Sequence, residues 1–288
     1  MAYNYTILCD HCPEYNDISF EKCSGCGNSI PGSINVKRAK IADEITALMD
    51  RYDSAKLELE GNNLTSEGNL LEKMVSSNGK AVINTRIEML FELFCRGESY
   101  QGYRRLVGEN KRPPAAFSND IKRGVVEAAL FGSTQDIIYG ALSINETGLT
   151  SYGDFTMVMR TDTIKNWTTA LECNSYNFID MVRAKGWNEN EPLPPGFLST
   201  WPDNHMLAIC KLFRRLKKNV ELEELAQLVL FTEGKRETDD FIELHIYGSL
   251  GAATVEKLRV EKDIKSKLDS KQVNQLIEVE RKFEIEYF

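Results

Sequence analysis

Four cysteines near the start of the chain limit its fold more than any other feature. Cys9-Asp-His-Cys12 is followed, after ten residues, by Cys23-Ser-Gly-Cys26-Gly. A two-residue spacer lets both sulfurs of each pair reach one ion, so the pattern predicts two knuckles around a single tetrahedral zinc, in a small zinc ribbon. Gly25 and Gly27 permit the tight turn in which backbone amides face the thiolates. Four thiolates leave no open coordination position, so the expected Zn2+ is structural, with His11 a bystander inside the first knuckle. The competing reading, a chance cluster or a disulfide pair, does not suit the other cysteines. Cys95, Cys173 and Cys210 stand alone in apolar surroundings, a usage that fits buried thiols in a reducing compartment.

With 288 residues, 42% of them hydrophobic, the chain can bury one large core or two smaller ones. No window approaches the roughly 18 apolar residues of a membrane span, so a soluble, cytoplasmic protein with no membrane partner is expected. The Asn-x-Thr sequons at Asn4, Asn63, Asn145 and Asn166 then carry no glycosylation meaning. A formal charge of −8 argues against broad coating of a nucleic-acid backbone. Local basic runs remain: Lys211–Lys218 is the densest, and Lys111-Arg112 and Lys122-Arg123 are smaller.

Past the turn Ile30-Pro31-Gly32-Ser33, the apolar positions Ile41, Ile45, Leu48, Met49, Tyr52 and Leu59 predict a helix over Arg38–Glu60, stopped at Gly61. Shorter helices are expected at Ser66–Val75 and Arg86–Phe94, giving a helical front to the main domain. From Gly97 to Asp120 the chain is polar and broken, with Pro113-Pro114, and Ile121–Phe131 follows as a short helix. The texture then turns to sheet at Ile137–Ser143, Asp154–Arg160 and Thr168–Leu171. Met181–Pro202 reads as loop-rich, His205–Asn219 and Glu221–Phe231 as helices, and a last helix begins near Ser270. The expected organisation is a four-Cys module over 1–32, a helical segment over 33–96 and an α+β domain over 97–288.

Asp240–Leu250 carries the most chemistry per residue. With period two, Ile242, Leu244 and Ile246 point to a core, and Phe241, Glu243, His245 and Tyr247 point the other way. The plainest reading is an ordinary strand with an exposed acid. Yet a carboxylate and an imidazole between two aromatic rings can also stack on a ligand and stabilise charge. Neither a GxGxxG fingerprint nor a phosphate-binding P-loop is present, which argues against a Rossmann oxidoreductase or a P-loop NTPase. Ser-His-Asp catalysis has only His11, His205 and His245 to draw on, and no nucleophile elbow.

Tyr139-Gly140-Ala141-Leu142-Ser143, then Tyr152-Gly153-Asp154-Phe155 through Arg160, then Phe241-Ile242-Glu243-Leu244-His245-Ile246-Tyr247-Gly248 form a series. It resembles a group of bacterial and phage proteins with a "YGAL" strand, a "YG" strand and a late "IEAQIHG" strand in this order, associated with the ADP-ribosyltransferase fold. The resemblance spans roughly Gly97–Val260. It implies an α+β fold with a split β-sheet, behind a helical N-terminal part and the zinc ribbon. It also implies transfer of ADP-ribose from NAD to a macromolecular acceptor (RNA, DNA or protein), in a toxin-like protein with an antitoxin partner. Glu243 would hold the nicotinamide-ribose hydroxyl and favour the oxocarbenium-like transition state, with His245 beside it as a second catalytic residue. Arg104, with Arg96 as rival, would meet the pyrophosphate. Tyr139 or Ser143 would shape the nicotinamide pocket, Tyr152 would offer aromatic surface, and Arg123 with Glu127 would match an "R…E" pair ahead of Phe131-Gly132. The chain departs from the group at Phe241, where arginine-modifying members carry a second Glu, and at His245, where the group has Gln; a Ser-Thr-Ser run is absent. Two other functions fit the same residues: a non-enzymatic zinc-ribbon adaptor for nucleic acid or protein, and an NAD glycohydrolase that uses water as acceptor.

Overall fold

Alternation along the β-branched runs builds the centre of the molecule. The computed structural model describes residues 6–9, 11–18, 20–111, 118–132, 136–188 and 191–288, with side chains at 118–123 left aside. In chain order its elements are β1 (Thr6–Leu8), β2 (Tyr15–Asp17), α1 (Ile34–Ala39), α2 (Ala42–Gly61), α3 (Thr65–Asn78), β3 (Lys80–Thr85), α4 (Ile87–Cys95), α5 (Tyr103–Gly108) and α6 (Ser118–Phe131). They continue with β4 (Ile137–Ser143), β5 (Phe155–Met159), α7 (Thr161–Ile164), β6 (Thr168–Leu171), α8 (Ser175–Ala184), β7 (Leu198–Thr200), α9 (Asn204–Leu212) and α10 (Leu222–Val229). The chain ends with β8 (Leu230–Phe231), β9 (Asp240–Phe241), β10 (Glu243–Tyr247), β11 (Val255–Val260), α11 (Ile264–Lys267), α12 (Ser270–Glu280) and β12 (Ile285–Tyr287). The fold is α+β: an eight-stranded mixed sheet in the order β12-β11-β5-β3-β4-β10-β6-β7, with an N-terminal hairpin, β1-β2, carrying the cysteines. Only β11-β12 is a parallel pair within that sheet.

One sheet face carries the main apolar core. Ala81, Ile83, Ile138, Leu142, Met157, Met159, Ala170, Leu244 and Ile246 pack there against α2, α3, α4, α9, α10 and α12 in the largest core. The other face is divided. Val82, Ala141 and Val158 pack on Leu149, Leu230 and Phe241, whereas Leu171 and Ile137 pack on α6 and α8 through Val126, Leu130, Phe178 and Ile179. Glu243 and His245 lie on this second face. Gly140 has a packing reason to be glycine: a Cβ there would come within 2.9 Å of the Val82 carbonyl oxygen on the neighbouring strand.

Several elements depart from the sequence reading. The helix expected over Arg38–Glu60 is two helices, because Lys40 and Ile41 leave helical geometry between α1 and α2. β3, at the centre of the sheet, comes from residues that gave no strand signal; Ala81, Val82 and Ile83 are all buried, so apolar residues face both sides and period-two alternation is lost. α5 forms within the stretch expected to be irregular. Arg112, Pro113 and Pro114 lie outside the described residues, as do the side chains of Lys122 and Arg123. Among the described residues no helix is long and apolar enough to cross a membrane.

Candidate functional site

Two places gather chemistry: the cysteine module and the polar layer around Glu243.

In the module, Cys9 and Cys12 follow β1, and Cys23 and Cys26 follow β2. The four Sγ atoms all lie within 4.8 Å of one another. Cys9 and Cys26 are 3.7 Å apart at sulfur, and Cys12 and Cys23 are 3.5 Å apart. A tetrahedral zinc with Zn–S bonds of about 2.3 Å places its sulfurs about 3.8 Å apart, so the donor set fits that ion. Nitrogen donors already face the sulfurs: the His11 amide to Cys9, Asn16 Nδ2 to Cys23 and Asn28 Nδ2 to Cys26, each at 3.4 Å. The Cys26 backbone bond, against the opposing effect of burial, brings the Cys23 thiol down to about 6. His11 contributes its backbone amide to this cage. The module is tied to the body by Lys37 Nζ, which donates to the Phe20 carbonyl at 2.6 Å.

Glu243 sits on β10 between β4 and β6, paired in register with Ala141 and Leu171. Instead of an exposed acid, it is a carboxylate with 2% exposure. Its Oε1 accepts from the Ser175 amide at 3.2 Å, from the Ser175 hydroxyl, and from His245 Nε2 at 2.9 Å. The capping of α8 sets this up: Asn174 Oδ1 accepts from the Asn177 amide at 2.7 Å, which starts the helix at Ser175. The amide of that first residue, unused by the helix, is thereby aimed at the acid.

His245 is fully buried, with the rings of Phe131 and Tyr139 edge-on at 5.0 and 5.3 Å. Its backbone carbonyl accepts from Asn35 Nδ2 at 2.8 Å, and the same amide group reaches the Trp167 carbonyl at 3.0 Å. His245 Nδ1 has no hydrogen-bond partner among the described residues. Tyr139 faces His245 across the ladder and donates its hydroxyl to Glu127, which also pairs with Arg104 Nε. Arg104 Nη2 donates to the Gly124 carbonyl of α6 at 3.2 Å. Five residues from α5, α6, β4 and β10 thus form one polar layer: Arg104, Glu127, Tyr139, His245 and Glu243.

The other candidates lie elsewhere. Ser143, fully buried, is four residues along β4 from Tyr139, roughly 13 Å by strand rise, and donates to Asn145 Oδ1 at 3.1 Å. Tyr152 stands on the turn before β5, under Arg236 at 4.6 Å and edge-on to Phe241. Arg96 is an exposed partner of Glu92 at the end of α4. His205 is held at Nδ1 by the Pro202 carbonyl, 3.0 Å away. Three of the five cations in the basic run 211–218 have carboxylate partners: Lys211 and Arg215 share Asp240, and Arg214 pairs with Glu58.

Ser175, Asn174 and Asn35 escaped the sequence reading. Each is a small polar residue beside a helix start, and such residues most often cap their own helix. Asn174 does cap α8; Ser175 and Asn35 act on β10 instead, which local spacing does not reveal. No protein-family profile matches the chain, and no curated protein matches it.

Proposed function

We propose that this chain is an NAD-dependent ADP-ribosyltransferase of toxin type, with Glu243 as its catalytic carboxylate. The supporting observation is the convergence of Glu243, His245, Tyr139, Glu127 and Arg104 on one sheet face. Ionisable groups drawn together inside an otherwise apolar interior are costly to keep for packing alone, and such clusters concentrate at sites of chemistry. In the reaction, the bond between nicotinamide and C1′ of the ribose breaks and neutral nicotinamide leaves. An acceptor nucleophile bonds C1′ and releases its proton. Glu243 offsets the positive charge that develops on the ribose, Tyr139 gives nicotinamide a ring to pack on, and Arg104 meets the diphosphate. The acceptor is a macromolecule, RNA, DNA or protein, and an antitoxin protein is the matching partner. With Glu243 at 2% exposure, this conformation is the resting one. Turnover requires the Ser175 end of α8 to move off the carboxylate. Incubation with labelled NAD and cell extract is the test. Label should enter one class of macromolecule, and Glu243→Gln should cut the rate by about 10²–10³ with little change in NAD affinity. Free ADP-ribose without labelled macromolecule would instead mark a glycohydrolase.

A second reading, a non-enzymatic zinc-ribbon adaptor, is favoured by the closure of the same site. Glu243 Oε1 already receives three donors, an arrangement that is complete without a ligand. On that reading Glu243→Gln leaves binding to a nucleic-acid or protein partner unchanged, while Cys12→Ser abolishes it.

A further inference from the structure

A cleft of about 320 Å³ opens between the start of α4 and the turn before β5; Arg86, Glu88, Ser151, Tyr152, Asp154 and Arg236 are among the residues lining it. None of the residues in the Glu243 layer lines it. Its walls are fixed. Asn84 Nδ2 donates to the Gly153 carbonyl at 2.9 Å, and a Cβ on Gly153 would come within 2.4 Å of the Thr85 carbonyl oxygen, so the turn is pinned to the end of β3. Ser151 donates to the buried Asp239, and Tyr152 packs on Phe241.

Within these walls, charges stand without protein partners. Arg86 makes no side-chain hydrogen bond or ion pair among the described residues, and neither does Asp154. Arg236 uses Nε on the Ser151 carbonyl at 3.1 Å and lays its guanidinium on Tyr152, which leaves its terminal nitrogens for another acceptor. Glu88 is already engaged by Gln272 Nε2 at 2.8 Å. The cleft therefore offers two guanidinium groups and two carboxylates: Glu88 keeps its charge, because the Gln272 amide that donates to it is neutral, and Asp154 is the one with no protein donor among the described residues. A bare anion would meet the arginines but also the repulsion of Asp154 and Glu88. A ligand that carries an anion at one end and hydroxyl donors at the other satisfies both. The volume is at the small end of the range for small-molecule sites, about 300–1,000 Å³, too small to enclose a dinucleotide.

We propose that this cleft binds a phosphorylated sugar, with Arg86 and Arg236 on the phosphate and Asp154 accepting from the sugar hydroxyls. The site does not depend on the role of Glu243, and its test uses no turnover. The phosphoribosyl unit is presented as ribose 5-phosphate and as AMP, with adenosine and inorganic phosphate as the separating arms, by titration calorimetry on the whole 288-residue chain prepared with zinc. Ribose 5-phosphate and AMP should bind, adenosine should not, and inorganic phosphate should bind at least about tenfold more weakly. Arg86→Ala, at an exposed side chain with no partner to lose, should weaken ribose 5-phosphate by about tenfold or more, one charge-assisted contact. Asp154→Asn should weaken ribose 5-phosphate and leave or improve inorganic phosphate. Glu243→Gln should change none of these affinities. The proposal is overturned if ribose 5-phosphate gives no heat at millimolar concentration, or if adenosine binds as well as AMP. It is equally overturned if inorganic phosphate matches the sugar phosphate, or if Arg86→Ala, with an unchanged circular dichroism spectrum, binds like wild type.

Discussion

The cysteine module and the polar layer around Glu243 are held together by opposite means. The module has little apolar interior: among the described residues Cys9, Ile18, Cys23 and Ile30 are its buried hydrophobic ones, and Leu8, Tyr15 and Phe20 remain exposed. Its order depends on bringing four sulfurs to one point. The polar layer is the reverse case, a few hydrogen-bonded charges held between two hydrophobic clusters that would pack without them. Removing the organising group should therefore unfold the module locally, but only weaken the body. The module is a fold made by its site; the layer is a site carried by its fold.

The strongest way to break this comparison is to take away the metal that the four cysteines could hold. Structural zinc in small modules supplies apparent binding free energies of about 10–16 kcal/mol, which in such modules is folding free energy. Cys23→Ser should reduce zinc from one equivalent to near zero and make residues 6–32 protease-sensitive. The body's unfolding midpoint should move little, because the described contact between the parts includes only a few bonds such as Lys37 to the Phe20 carbonyl. Elemental analysis and limited proteolysis decide it. Cooperative loss of the whole molecule would show that module and body are one unit.

Next in size is Glu243→Ala, which leaves the Ser175 hydroxyl, the Ser175 amide and His245 Nε2 facing an empty buried space. Deleting one partner of a buried charged network typically costs about 3–5 kcal/mol. The same change should leave zinc content at one equivalent. Glu243→Gln keeps the shape and one acceptor oxygen, so its cost in urea unfolding should be smaller. A Glu243→Ala variant as stable as wild type would mean that the layer is not held by the carboxylate.

These residues also mark what the sequence can and cannot reveal. The cysteine cage was legible because its spacing is local: a ligand pair two residues apart needs no knowledge of the rest of the fold. The strand bearing Glu243 was legible from period two, and the aliphatic set Ile242, Leu244 and Ile246 does enter the main core. That the opposite face is equally buried was not legible, because α6 and α8 cover it from elsewhere in the chain. Alternation distinguishes two faces but cannot say that one is solvent. β3 was missed for the related reason that Ala81, Val82 and Ile83 are buried on both sides, so the pattern has no polar phase. Asn35 contacts a carbonyl 210 residues away. Such pairings are created by topology and leave no mark in local sequence.

The smallest effect concerns the rim of the layer, where charges are neither caged by a metal nor fully enclosed. Asp240, paired in register with Phe231 of β8 and close to Glu243 in sequence, forms ion pairs with Lys211 at 2.6 Å and Arg215 at 2.5 Å. Burial opposes its ionisation, but Lys211 and Arg215 outweigh burial and hold the carboxyl below its ordinary value of 3.8. A carboxyl lowered in the folded state contributes stability above its unfolded value, and that contribution is lost as pH falls through the folded value. Asp240→Asn should therefore be less stable than wild type at pH 7 and at pH 5, by a similar amount. The gap should close progressively below about pH 3.8, where the unfolded wild-type carboxyl begins to take up its proton. With its side chain one-third exposed (33%), Asp240 is partly screened by solvent and the gap should be modest. Acid also protonates thiolates and would release a metal held by them, so the body must be followed separately. Fluorescence of Trp167, Trp187 and Trp201, all outside the module, serves that purpose. A gap that stays constant down to pH 2.5 would show that the asparagine acts through packing and not through the lost charge pair.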